Sequence, residues 1–266
     1  MKILVTNDDG ILAEGLWLLA KELSIFSDVV VAAPDREQSA IGTAVTLTQP
    51  LRVQRIKPLV PGIEAYSVQG TPGDSVILAL EKLARDQVGV VVSGVNQGLN
   101  VGNDVLISGT VAAALQGYLR GLSAIALSLS LAGSENGYLD AAAHVGSLLV
   151  KKIRSGHLLT PLLLNVNVPD RHLADIKGVM ITRLAKESHI DTVEEGHDGK
   201  HNYYWLKRKR TPDRVHPKMT DIWAVDHGYV SITPLHIYQG NGSSLAADGF
   251  CTDELCSDLS QELLRK

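Results

Sequence analysis

Residues 1–10 read Met1-Lys2-Ile3-Leu4-Val5-Thr6-Asn7-Asp8-Asp9-Gly10, an apolar run that stops at two adjacent carboxylates. A short run rich in branched residues is a buried strand, and its abrupt end sets Asp8 and Asp9 at the strand's carboxyl end. In an open α/β sheet that end opens into the ligand crevice, with helix N-termini behind it. Two crowded aspartates need a counter-ion more than either does alone, and oxygen ligands suit Mg²⁺, Mn²⁺ or Ca²⁺. An isolated Asp-Asp-Gly is also an ordinary turn, so a site requires partners from elsewhere in the chain.

Working outward, residues 28–33 (DVVVAA), 88–93 (VGVVVS), 124–129 (AIALSL) and 162–168 (LLLNVNV) are short and nearly continuous in apolar character. That is the signature of parallel strands covered on both faces. Between them, 11–23, 74–84, 110–119 and 139–153 place apolar residues at helical spacing. The alternation predicts an α/β fold, a Rossmann-like, mostly parallel, doubly wound sheet with right-handed crossovers.

Residues 43–56 break the rhythm and predict an antiparallel excursion of two β-like runs joined through Gln49-Pro50. After residue 170 the texture changes. Residues 189–201 are polar, 203–206 read as a strand, and Lys207-Arg208-Lys209-Arg210 is a cationic run, together an extended arm or hairpin. Residues 229–233 read as a returning strand and 253–264 as a terminal helix. The expected organisation is a catalytic core over 1–180 and an oligomerisation part over 181–266, with a soft boundary within one unit.

With 266 residues and 45% hydrophobic content the chain can bury a large core. Its net charge of −4 argues against a surface that coats a nucleic-acid duplex. Cys251 and Cys256 lie late in the chain on what reads as one helix at an i, i+5 offset, poor geometry for a mutual bond, so a reducing compartment is expected. The start shows no apolar leader, and no span is long enough for a bilayer. A soluble, cytoplasmic protein with no membrane association is the expectation.

Three further loops follow strands and carry suitable atoms. In Pro34-Asp35-Arg36-Glu37-Gln38-Ser39-Ala40, the Ser39 hydroxyl is a candidate oxygen ligand. In residues 94–104, Asn96 has an amide oxygen for a metal and an NH₂ for a phosphate. Ser108-Gly109-Thr110 opens a helix whose first N–H groups make an anion seat. The glycines at 94, 98 and 102 fit neither the dinucleotide fingerprint nor a phosphate loop. Asp74 after Thr71-Pro72 reads as a helix cap rather than a catalytic group. The nine histidines form no H-x-x-x-H pair on a plausible helix. Residues 221–226 with His227 are read as surface turn chemistry, with a place in the crevice as the lesser alternative.

Taken together, Asn7-Asp8-Asp9-Gly10, Ala33-Pro34-Asp35 with Gln38-Ser39, Gly70-Thr71-Pro72, Ser93-Gly94-Val95-Asn96 with Gly98, Asn100, Gly102 and Asp104, and Ser108-Gly109-Thr110 resemble the SurE family. The likeness continues through residues 164–169, Thr220-Asp221 and residues 228–235. The resemblance implies a divalent-metal-dependent phosphatase acting on nucleoside monophosphates, and dimers or tetramers built through an exchanged C-terminal segment. The family's metal ligands fall on Asp8, Asp9, Ser39 and Asn96, implying one divalent cation per subunit, Mg²⁺ or Mn²⁺. Phosphate contacts fall on Ser108, Gly109 and Thr110, with Asn96 beside them.

Asp8, Asp9 and Asn96 are then the catalytic candidates. A water attacks a 5'-monophosphate in line, with Asp8 or Asp9 as base, and a covalent aspartyl-phosphate stays open. Action on 3'-monophosphates or polyphosphate belongs to the same chemistry. The rival reading is a regulatory protein that binds metal and nucleotide without turnover. Two departures stand out: Ala40 where the family usually has glycine, and Ile107 where tyrosine often precedes Ser-Gly-Thr.

Overall fold

Ile3, Leu4 and Val5 form the middle of β1 (Lys2–Thr6), and all three are fully buried. Side chains alternate across a strand. Ile3 and Val5 accordingly pack with α1 (Glu14–Ser24) and α4 (Leu139–Arg154), while Leu4 packs on the other face with α2 (Pro72–Leu78) and α3 (Gly109–Tyr118). In this computed structural model the described residues are 1–84, 88–131, 138–158, 161–186, 189–210, 216–236 and 252–264.

β1 lies between two parallel neighbours, β2 (Val29–Pro34) and β5 (Val88–Gln97). β6 (Ser123–Leu129) and β7 (Leu163–Val168) extend the parallel run beyond β5. On the other side stand β3 (Arg52–Ile56) and β4 (Glu64–Gln69), and the far edge is completed by β8 (Val179–Ile181) and β11 (Val230–Pro234). The nine-stranded order is β3-β4-β2-β1-β5-β6-β7-β11-β8. β3 runs antiparallel to β4 and β11 antiparallel to β7; the other pairs are parallel. β8 spans residue 180, so the sheet continues through the boundary drawn there.

The excursion differs from expectation. Residues 43–51 form no strand, and Gln49-Pro50 joins no pair of strands; β3 alone supplies the antiparallel partner. The cause is Asp74. Its carboxylate caps α2 through the Thr71 N–H (2.9 Å) and also takes the N–H and hydroxyl of Thr46 at 2.9 and 2.6 Å. The backbone around Thr46 is thereby held by a side chain instead of a ladder. α1 also begins three residues later than the periodicity predicts, because Gly10, at φ 99°, turns the chain and the Trp17 indole N–H holds the Ile11 carbonyl at 2.7 Å.

β9 (His189–His197) and β10 (Asn202–Arg210) form a separate antiparallel hairpin. It exposes Val193, Tyr203, Tyr204, Trp205 and Leu206. α6 (Thr252–Leu264) buries Leu259 and Leu263 on the α1/α4 face, and its Asp258 and Glu262 each reach the Lys152 ammonium at 3.1 Å. Cys251 and the Cys256 side chain lie outside the described residues. Among those residues no helix is long and apolar enough to cross a membrane.

Candidate active site

The site starts from the turn that ends β1. The Asn7 side chain closes it, donating to the Gly10 carbonyl at 3.0 Å and accepting the Gly10 N–H at 3.2 Å. Gly10 is required there by its positive φ and because a Cβ would stand 3.0 Å from the Arg36 carbonyl carbon. The locked turn presents Asp8 toward α3, with Asp8 only 4% exposed and its neighbour Asp9 half-buried.

Asp8 meets the start of α3 directly. The Thr110 hydroxyl donates to its Oδ1 at 2.6 Å, and the Thr110 backbone N–H donates to it as well. Gly109 has no room for a side chain: a Cβ would sit 2.7 Å from the Asp8 Cβ and 2.9 Å from its Oδ2. Burial raises the Asp8 carboxyl above its ordinary range, and the Thr110 hydroxyl works against that rise. Burial and the neighbouring Asp8 charge push Asp9 up to about 7, opposed by the Gln97 backbone N–H. Two carboxylates with raised affinity for protons are short of positive charge.

The other candidates lie on the loop after β2 and at the end of β5. The Gln38 N–H donates to the Asp8 carbonyl at 2.8 Å, which lays the loop carrying Ser39 along the β1 turn. Ser39 itself is exposed and donates to Glu37 Oε1 at 2.7 Å, so its oxygen lone pairs stay available. Asn96 is the second-last residue of β5, one before the Gln97 N–H that meets Asp9. Its Nδ2 donates to the Gly98 carbonyl at 2.7 Å, which leaves its carbonyl oxygen for a cation and commits part of the NH₂ expected to face phosphate. The Ser108 hydroxyl accepts the Val111 N–H at 3.1 Å as the cap of α3.

The donor set fits a hard divalent cation: two carboxylates, one hydroxyl and one amide oxygen, with negative charge uncompensated at the pair. Among the described residues no group of three or more His, Cys, Asp or Glu side chains gathers, here or elsewhere, so a cation held here would rest on two carboxylates and neutral oxygens.

Both departures are visible. Ala40 holds φ 56°, the left-handed backbone that glycine adopts without strain. Ile107 is 37% exposed on the approach to α3, and its carbonyl accepts the Gly42 N–H at 2.9 Å.

Sequence reasoning misplaced Asp221. It is neither a surface turn nor part of the crevice lining: it is fully buried at the start of α5 (Asp221–Asp226), accepting the Gly102 N–H at 2.7 Å and the Ala185 N–H at 2.9 Å. Burial raises its pKa. Asn100 was visible only as part of a motif, yet it is a buried junction between β7, β6 and α3. Its one local signal was a polar residue amid glycines in a loop after a buried strand.

The profile of the survival protein SurE family matches residues 3–191. A protein of Dehalococcoides mccartyi named 5'-nucleotidase SurE is 54% identical over 236 residues, covering 89% of each chain. One of the same name from Legionella pneumophila is 44% identical over 241 residues, covering 89% of this chain and 91% of its own. The crystal structure of the SurE protein from Aquifex aeolicus superposes with a TM-score of 0.77 at 34% identity, covering 91% of this chain and 95% of that one. With paired aspartates in the turn after β1, a helix start packed on the first of them and this extent of likeness, the chain belongs to the SurE family.

Proposed function

We propose that the chain is a divalent-metal-dependent phosphomonoesterase that hydrolyses nucleoside 5'-monophosphates. The observation that carries the reading is the meeting of Asp8 with the start of α3: a buried carboxylate accepts the Thr110 hydroxyl where a helix N-terminus attracts anions. The relatives' printed name, 5'-nucleotidase, supports the same activity. Ser39 and Asn96 complete the oxygen donor set, and a bound Mg²⁺ or Mn²⁺ supplies Lewis-acid polarisation and charge neutralisation there.

The chain's own groups divide the remaining work. The Thr110 N–H is spent on Asp8 and the Val111 N–H on Ser108, so the Gly109 N–H and the Ser108 hydroxyl hydrogen are the first-turn donors for a phosphoryl group. Asn96 offers the same group the amide hydrogen not spent on Gly98. Asp8 is tied to Thr110 and buried, whereas Asp9 is more exposed, so Asp9 orients the attacking water and accepts its proton. Positioning and charge stabilisation dominate phosphoryl transfer, and this arrangement supplies both. The same chemistry extends to 3'-monophosphates and polyphosphate. The 181–266 part assembles homodimers or homotetramers, because an isolated two-stranded hairpin is marginal alone and this one exposes a row of apolar side chains.

The test is phosphate release from 5'- and 3'-nucleotides, p-nitrophenyl phosphate and polyphosphate with Mg²⁺, Mn²⁺ or EDTA, for wild type and Asp8→Asn. Metal-dependent release lost in the variant is expected. Nucleotide binding without turnover under every condition would instead make the protein a regulatory binder.

A further inference from the structure

We infer that Asn100 is a positioning residue for Asp8, acting through the Thr110 hydroxyl; this rests on reading Asp8 as a carboxylate of the active site. Asn100 is 7% exposed in the loop after β5. Two side chains of β7 grip its backbone. Its N–H donates to Asn167 Oδ1 at 2.9 Å, and its carbonyl accepts Asn167 Nδ2 at 2.9 Å and Asn165 Nδ2 at 2.7 Å. Asn167 thus pairs with the peptide of residue 100 as a neighbouring strand would, using both ends of its amide.

That grip aims the Asn100 side chain. Its Nδ2 donates to Ser128 Oγ at 2.8 Å and to Thr110 Oγ1 at 3.3 Å. An amide NH₂ can only donate, so Thr110 Oγ1 must accept from it, and the single hydroxyl hydrogen goes to Asp8 Oδ1 at 2.6 Å. The polarity of the chain is therefore fixed, from Asn100 to Thr110 to Asp8. Asp8 keeps a permanent donor on Oδ1, which orients its carboxylate with Oδ2 beside the bare backbone of Gly109. Partners behind a ligating carboxylate commonly set its orientation. The span is long in sequence: |i−j| is 67 from residue 100 to Asn167 and 102 from Asp8 to Thr110. β7 thereby reaches a carboxylate at the end of β1, with β6 and β5 between the two strands in the sheet.

A purely structural hub predicts something different from a positioning residue, and a double-mutant cycle separates them. Asn100→Ser removes the reach to Thr110, Asn100→Asp keeps the volume but turns the donor into an acceptor, and Thr110→Val removes the hydroxyl at equal size. Nucleoside monophosphate hydrolysis at saturating Mg²⁺, thermal melting and Mn²⁺ binding by electron paramagnetic resonance are read for each, and for Asn100→Ser combined with Thr110→Val.

The expected result is a kcat loss of roughly 10–100-fold in either Asn100 variant with KM little changed. The double variant should be no slower than Thr110→Val alone, and Mn²⁺ should bind several-fold more weakly to Asn100→Ser and Thr110→Val alike. Folded Asn100 variants with wild-type kcat, or losses that multiply in the double variant, overturn the inference. If Asn100→Ser does not fold, the isosteric Asn100→Asp decides. Undiminished turnover in Asp8→Asn would instead remove the reading of the site on which the inference stands.

Discussion

Gly109 and Asp8 are packed so closely that a Cβ on the glycine would stand 2.7 Å from the Cβ of the aspartate. Neither residue can yield easily, since Asp8 is fixed by Thr110 and Gly109 begins α3. Gly109→Ala should therefore displace the carboxylate and cut kcat/KM by about 100-fold or more, since small misplacements at a reacting centre carry penalties of that size. Steady-state hydrolysis of a nucleoside monophosphate, with circular dichroism to verify folding, checks this. A loss below threefold contradicts it.

Asp9 should show opposite effects on activity and stability. Asp9→Asn removes a proposed metal ligand and the group proposed to orient water, so turnover should fall by about two orders of magnitude or more. It also removes a half-buried charge that repels Asp8. In EDTA at pH 8 the variant should melt above wild type, as differential scanning calorimetry would show. A lower melting temperature would mean that Asp9 is well compensated without metal.

The pH dependence of the metal-free protein follows from the same group. Asp9 titrates at about 7 in the fold against an ordinary 3.8, so the folded state holds its proton more tightly than the unfolded chain does. The resulting penalty is absent below about pH 4, grows through the interval to about pH 7 and is complete above it. Asp8 and Asp221 are shifted in the same direction. In EDTA the melting-temperature difference between Asp9→Asn and wild type should therefore widen from pH 5 to pH 8. Saturating Mg²⁺ should raise the wild-type melting temperature more at pH 8 than at pH 5, because protons compete with the cation at the lower pH. A difference that stays constant with pH would refute the assignment.

Ala40 offers a stability gain. Its φ of 56° disfavours any side chain with a Cβ. Ala40→Gly should raise unfolding free energy by up to about 1 kcal/mol in urea denaturation. A loss of stability would show that Ala40 is not strained.

Asp221 should behave as a brace. Asp221→Ala leaves the Gly102 and Ala185 N–H groups without their acceptor in a buried setting, at a cost of about 2–4 kcal/mol in unfolding free energy. A cost under 1 kcal/mol would mean that water replaces the carboxylate.

The sequence was most readable where one local pattern has one physical solution. Ile3 to Val5, Val90 to Val92 and Leu163 to Val168 had to be strands buried on both faces, and Asp8 and Asp9 had to sit at the open end of the first. Thr71 and Asp74 announced their cap for the same reason. The excursion was misread because the β-like texture around Thr46 is overruled by a carboxylate at position 74, a contact that no local window contains. Asp221 and Asn100 were opaque on the same principle: their partners are separated from them by up to 119 and 67 positions. Tertiary hydrogen bonding decided their roles, and composition carries no trace of it.

The sheet order has a consequence for biosynthesis. β11 lies between β7 and β8, although β8 precedes it by some fifty residues of chain. When a ribosome has released residues 179–181, β11, their one sheet neighbour among the described residues, has not yet been made. Until Pro234 has emerged, β7 stays an open edge and β8 has no strand to join, so nascent chains cut short before that point carry all of the site residues on an incomplete scaffold.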